Sequence, residues 1–177
     1  MENNQPSFTS VLVKSVVTHT VTYALIGMIA FTLFDYSARY AEPHIAAFMR
    51  QTNTPLVMAG PLFQPIRGAL FGIVFYLLRD AFFGKKRGWL VMWVMLVVVG
   101  ILSTFGPSPG SIEGMIYTVW PLTDHLFGAP EVYVQSLLLS LIVTYWVDHP
   151  QSRWLSWVMG VLFALMMLFP LLGLLVG

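Results

Sequence analysis

The sequence predicts an all-α integral membrane protein, a bundle of about five transmembrane helices with an outer interfacial or re-entrant segment between the third and fourth spans. Three observations carry that expectation. Hydrophobic residues make up 57% of the 177 positions and charged residues only 10%, against about 25% charged in an average soluble domain. The mean hydropathy is +0.75. The apolar residues also fall into runs close to the roughly 20 residues that a helix needs to cross a bilayer, separated by polar or Gly/Pro-rich connections. A single polytopic domain, residues 1–177, takes up all five runs and leaves little room for a separate soluble domain.

The first run, about 11–34, follows a polar leader, Met1 to Ser10, that reads as loose. Its length and the lack of a small-residue cleavage site favour a retained helix over a removed signal peptide. Asp35 to Pro55 carries Asp35, Arg39, Glu42, His44 and Arg50 and reads as an interfacial helix or structured loop. The second run, about 56–78, has Pro61 and Pro65 in its first half and Gly68-x-x-x-Gly72 at its centre. The third, about 88–105, follows the basic connection Arg79 to Arg87 and forms a helical hairpin with the second.

A long connection from Gly106 to Glu131 opens with Gly106-Pro107-Ser108-Pro109-Gly110, which stops a helix. Met115 to Trp120 is nevertheless apolar, so this stretch is expected to lie in the interface or to dip partway into the membrane. The fourth run, about 132–147, and the fifth, about 154–175, are joined by the tight turn Asp148 to Arg153. No internal repeat is visible, and an odd span count does not suit an inverted-repeat transporter built within one chain.

Lys and Arg concentrate on the cytoplasmic side of short loops. Arg79, Lys85, Lys86 and Arg87 supply four of the nine cations, which predicts a cytoplasmic N-terminus and an outside C-terminus. Lys14 and Arg153 agree, as does the absence of any cation from Gly106 to Glu131; Arg39 and Arg50 dissent. No eukaryotic targeting signal is recognisable, so the expected compartment is a bacterial cytoplasmic membrane, with membrane lipids as partners.

Several function classes are excluded or disfavoured. A net charge of +1 provides no electrostatic platform for nucleic acid. The absence of cysteine removes disulfides, thiolate metal sites and cysteine nucleophiles. Glu42 with His44, and Asp124 with His125, are outer carboxylate and imidazole pairs, but neither has the spacing of two metal ligands on one helix face. No metal and no cofactor is expected.

Arg67 is the residue that points to function. It interrupts the second apolar run, where an arginine costs about 2.5–3.5 kcal/mol to insert on translocon scales and stays charged. Gln64, three residues earlier, shares its helix face. Both are expected in the outer half of the span, with Glu113 of the outer connection as partner. Two readings stand side by side: a pocket in which Arg67 and Gln64 hold an anionic group, or a buried Arg67–Glu113 ion pair that fixes the outer connection.

Accessory candidates are Ser111, Tyr117, His125 and His19. Ser111 reads first as the N-cap of a short helix with Glu113 in its first turn. A serine nucleophile served by His125 lacks a G-x-S-x-G elbow. His19 belongs to a stripe with Ser15, Thr18 and Thr22 along the first span, suited to hydrogen bonds between helices. Gly68 and Gly72 permit close helix approach, either within the monomer or across a homo-oligomer.

The expected function is therefore binding or transport of an amphipathic or anionic ligand at an outer-side pocket around Arg67. A non-catalytic subunit of a heteromeric membrane complex is the alternative. A third reading is an intramembrane enzyme acting on a lipid head group, with Glu113 or His125 as base and Arg67 as anion clamp.

Overall fold

The computed structural model describes residues 5–176, and every regular element among them is a helix. In chain order these are α1 (Phe8–Leu33), α2 (Tyr36–Tyr40), α3 (Pro43–Ala46), α4 (Pro55–Met58), a 3-10 turn (Gly60–Phe63), α5 (Gln64–Leu77), α6 (Arg79–Phe82), α7 (Gly88–Val97) continuing into a π turn (Val98–Leu102), α8 (Ile112–Tyr117), α9 (Leu122–Phe127), α10 (Ala129–Asp148) and α11 (Arg153–Val176). α1 starts at Phe8 because the Ser10 amide donates to the Ser7 hydroxyl at 3.3 Å, an N-cap. The predicted loose leader thus gives up its last three residues to the helix, and its first four, Met1–Asn4, lie outside the described residues.

Three helices are long and apolar enough to cross a membrane: Phe8–Leu33 with 26 residues, Leu122–Asp148 with 27 and Arg153–Leu174 with 22. At 1.5 Å per residue they reach roughly 33–40 Å, more than the ~30 Å hydrocarbon core. This is a membrane-embedded, all-helical protein. The other two predicted spans exist as shorter helices, α5 with 14 residues and α7 with 10 plus the five-residue π turn.

Helix-breaking chemistry explains both shortfalls. Pro61 and Pro65 remove backbone donors, and the chain tightens into the 3-10 turn, where the Gln64 amide bonds the Pro61 carbonyl instead of that of Gly60. In the third run the Ser103 amide reaches back five residues to the Val98 carbonyl at 2.9 Å, which widens the last turn into the π form.

α1 is the central helix. It packs against α5, α10 and α11, while α7 packs on α10. Accordingly 39% of its apolar stretch is buried, against 6% for α11. Val11, Phe75, Met92, Leu139 and Val143 form the main core where α1, α5, α7 and α10 meet. A smaller cluster of Val21, Trp146 and Met159 joins α1, α10 and α11.

The α1–α5 seam depends on glycine. A methyl on Gly68 would lie 2.7 Å from Val16 Cα, and one on Gly72 would lie 3.0 Å from Leu12 Cα. Both glycines are buried against α1 of the same chain. Of the two uses that the sequence offered for Gly68 and Gly72, close approach within the monomer is the one seen here.

Hydrogen bonds sort the connections into two ends. Gln5 Nε2 donates to Asp80 Oδ1 (2.7 Å) and the Gly84 amide to Asp148 Oδ1 (2.9 Å), so the N-terminal residues, the 79–87 connection and the 148–153 turn lie together. Arg39 and His44 both meet Asp124, and Tyr36 donates to Glu131, so the 34–55 and 106–131 connections share the opposite end.

Candidate functional site

The break before α5 places Gln64 beside the middle of α1. Its carboxamide spans the seam: Nε2 donates to the Gly60 carbonyl (3.3 Å), which the tightened turn leaves without its helical partner, and Oε1 accepts from His19 Nε2 (3.1 Å). His19 is the twelfth of the 26 residues of α1, so Gln64 stands level with its centre. Arg67 follows one turn later, just before Gly68, which lies against Val16. Measured along α1, the pair therefore sits near the middle of that helix.

Of the α1 stripe, His19 alone bonds across to another helix. The Thr22 hydroxyl donates within α1 to the Thr18 carbonyl (2.8 Å), a common solution for a helical threonine. With Nε2 donating to Gln64, the His19 Nδ1 is left as an acceptor. It is buried and has no hydrogen-bond partner, as are the Ser15 and Thr18 hydroxyls. A buried polar atom without a partner costs about 1–3 kcal/mol.

His19 and Arg67 line one cavity of about 270 Å³, together with Phe71, Gly100, Gln135 and Ser136 among others. α1 and α10 form its floor, and α5 and the π turn flank it. The Arg67 guanidinium lies 5.7 Å from the centre of the Phe71 ring, which also meets the His19 imidazole at 5.0 Å, edge on, and stacks on Phe75 at 5.9 Å. Arg67 is exposed on the bundle surface. The ion pairs among the described residues are Arg39–Asp124, His44–Asp124 and His44–Glu42, so Arg67 has no carboxylate in reach.

The pairing of Arg67 with Glu113 is thus absent from the ion pairs of the described residues. The reason is local. Ser111 caps α8 and holds Glu113 in its first turn, at the end of the bundle, where the helix dipole already favours a carboxylate. The two side chains belong to different heights.

Ser111 is fully engaged. Its hydroxyl donates to the Ser108 carbonyl (2.8 Å) and accepts from the amides of Gly114 (2.9 Å) and Ser108 (3.1 Å). His125 is equally committed: Nδ1 accepts from the Gly110 amide (3.2 Å), leaving Nε2 to donate to Thr118 Oγ1 (3.2 Å). Neither group is free to act as nucleophile or base. Tyr117 is 74% exposed and lines a separate cleft of about 380 Å³ with Phe48, Trp120 and His125.

Sequence reasoning missed the cross-connection contacts at this end. Asp124 Oδ1 accepts from Arg39 Nη2 at 2.5 Å, and Oδ2 meets His44 Nε2 at 2.7 Å, while the Arg39 guanidinium stacks 3.5 Å from the Phe127 ring centre. The two carboxylate and imidazole pairs of the sequence exchange partners across space: His44 takes Asp124 beside its own Glu42. No group of three or more His, Asp or Glu among the described residues is arranged to hold a metal ion. Tyr36 donates to the Glu131 carboxylate, and burial raises the Tyr36 phenol pKa above its ordinary range, with Glu131 adding to the shift, so it stays a donor. Gln135 and Ser136 were also missed, because nothing in an apolar run marks which small polar residue will face a cavity.

No protein-family model matches this chain, and comparison with curated proteins and with solved structures returns no match.

Proposed function

We propose that this protein binds an anionic amphipathic ligand in the cavity between α1, α5, the π turn and α10, with Arg67 as the anion-binding group. The observation that carries this reading is an arginine at mid-height of a membrane bundle that lines a cavity and has no ion pair among the described residues. Arginine cannot discharge itself by losing its proton, so an external anion is the natural complement. An anion paired with a guanidinium in a low-dielectric site forms the stronger kind of hydrogen bond. Gln64 acts here as a brace that orients His19, and Glu113 has no part in the site.

The same reading includes five crossings, counting the segment Pro55–Leu77 and the segment Gly88–Leu102 as spans. Pairing of the connections at two ends supports this. Six of the nine cations, Lys14, Arg79, Lys85, Lys86, Arg87 and Arg153, lie toward one end; the opposite connections hold Arg39 and Arg50 against Asp35, Glu42, Glu113, Asp124 and Glu131. The basic end is then cytoplasmic, with the N-terminus inside, in the cytoplasmic membrane of a bacterium. Because the chain has no cysteine, single cysteines at Lys86 and Asn53 test it directly: each must react with an impermeant maleimide from one side only, and from opposite sides.

The test of ligand binding is mass spectrometry of the protein released intact from a mild detergent. Retention of an anionic amphiphile by the wild type, lost in Arg67→Gln, supports the site. A bare polypeptide whose melting temperature no anionic amphiphile raises would remove it. A constant foreign subunit would replace it with the assembly reading, to which the thinly covered α11 lends some support.

A further inference from the structure

We infer that the occupant is a membrane phospholipid with a net anionic head group, and that it reaches the cavity sideways from the bilayer, between α5 and the π turn. This rests on the binding reading above and names its substrate class.

The direction of access follows from where the mouth lies. α5 packs on α1, and α7 packs on α10, so the two short helices flank a gap between them. Arg67, Leu70 and Gly100 line the cavity and are exposed. They belong to the lateral surface of the bundle at the height of mid-α1, because Gln64 is bonded to His19 there. A soluble anion would have to cross apolar material to arrive at this height. A lipid already resident in a leaflet needs only to move its head group inward.

Size gives the second constraint. The cavity of about 270 Å³ lies below the roughly 300–1,000 Å³ typical of sites that enclose a whole drug-sized ligand, and is not twice the ~150 Å³ that holds one benzene. It admits a head group and excludes two acyl chains. The chains then remain outside, where Leu70 (60% exposed) and the neighbouring apolar surface already face lipid.

The polar lining selects the charge. Arg67 offers donors only and requires an anionic oxygen, and Gln135 and Ser136 line the same cavity. A choline head group carries a cation toward Arg67. A phosphoglycerol head group supplies anionic oxygens with no cation beside them.

Purified protein is presented with phosphatidylglycerol, phosphatidylcholine and free glycerol phosphate, and bound species are weighed intact alongside thermal unfolding. Wild type is expected to hold phosphatidylglycerol at least about tenfold more tightly than the other two, the size of one lost charged hydrogen bond. Two variants test the place. Arg67→Gln removes the anion partner at an exposed position. Gly100→Phe plugs the mouth, and its side chain enters open space, since a methyl there meets nothing within 4 Å. Both are expected to melt as the wild type does without lipid and to lose phosphatidylglycerol; Leu70→Trp replaces Gly100→Phe should the π turn not accept it. Glycerol phosphate binding as well as the lipid would overturn lateral access while leaving the Arg67 pocket standing. Phosphatidylcholine binding equally would overturn the charge selection. Phosphatidylglycerol retained by both variants would place the lipid elsewhere and end this inference, and no anion bound by the wild type would end the pocket reading with it.

Discussion

Gly68→Ala should separate the two central helices. The added methyl would stand 2.7 Å from Val16 Cα, with the Val16 and Ser15 carbonyl oxygens at 3.2 and 3.3 Å. Ordinary contact begins at 3.4 Å, so α5 must retreat by about 0.7 Å from backbone that cannot rotate away. Overpacking of this kind costs about 1–3 kcal/mol, toward the upper end where the obstacle is main chain. Alanine returns about 1 kcal/mol through better helix propensity. The net loss is about 2 kcal/mol, or roughly 4–8 °C in melting temperature for a chain of this size. Two neighbours calibrate the result. Gly72→Ala meets Leu12 Cα at 3.0 Å and a movable Leu12 methyl at 3.0 Å, so its loss is smaller; Gly100→Ala meets nothing within 4 Å and is neutral or slightly stabilising. Tryptophan fluorescence during heating in detergent reads all three, since the chain has six Trp. A Gly68→Ala protein at least as stable as the wild type would refute the intrachain seam, as would one that falls from dimer to monomer at unchanged stability.

Gln64→Ala removes both the His19 bond and the brace on the Gly60 carbonyl, and should cost about 1–3 kcal/mol; combined with His19→Ala the losses should be less than additive, because the two side chains share one bond. Arg67→Ala and Glu113→Ala, in contrast, should add within about 0.5 kcal/mol when stability is measured without ligand, since the two groups form no ion pair; a coupling above that would restore the buried pair. Asp124→Asn should loosen the 36–46 segment. Its carboxylate side chain is 9% exposed and anchors both Arg39 and His44, so limited proteolysis between Ala38 and Gln51 should accelerate several-fold while the melting temperature moves by only a few degrees. Equal cleavage rates would mean that the ion pairs do not hold the segment.

Class and element order were legible because they depend on composition and run length, which survive tertiary context. Phe8–Leu33 and Arg153–Leu174 lie close to where uninterrupted apolar runs end, and the α9–α10 stretch Leu122–Asp148 overlaps the fourth run. Helix length in the second and third runs was not legible in the same way. Pro61 and Pro65 were visible as breakers, but the bond that ties Gln64 at the end of the 3-10 turn to His19 spans 45 residues of sequence. The π turn leaves no compositional mark at all. Arg67, Gln64 and His19 were recognisable as polar residues in apolar surroundings; Glu113 was assigned from its place in the outer connection, and chain position does not tell that the Ser111 cap holds it in the first turn of α8.

The short helices and the unpaired arginine are one design and not two irregularities. A straight, full-length α5 would carry Gly60 and Pro61 onward along α1, and its Gly60 carbonyl would bond within the helix, leaving Gln64 free of that brace. A regular α7 would place Gly100 in ordinary helical register. Instead both helices deform at the height where His19 lacks a partner on Nδ1 and where Arg67 lacks an anion. Proline and a π turn each cost helix stability, an unsatisfied imidazole costs about 1–3 kcal/mol, and an arginine at a span centre, where the proposed topology would put Arg67, about 2.5–3.5 kcal/mol. Structural need alone gives no reason to concentrate these costs around one cavity. Apolar residues in a regular helix would pack α5 against α7 and avoid them all. An anionic head group paired with Arg67 would give such a reason, because the cavity it would enter is lined by α5 and the π turn together.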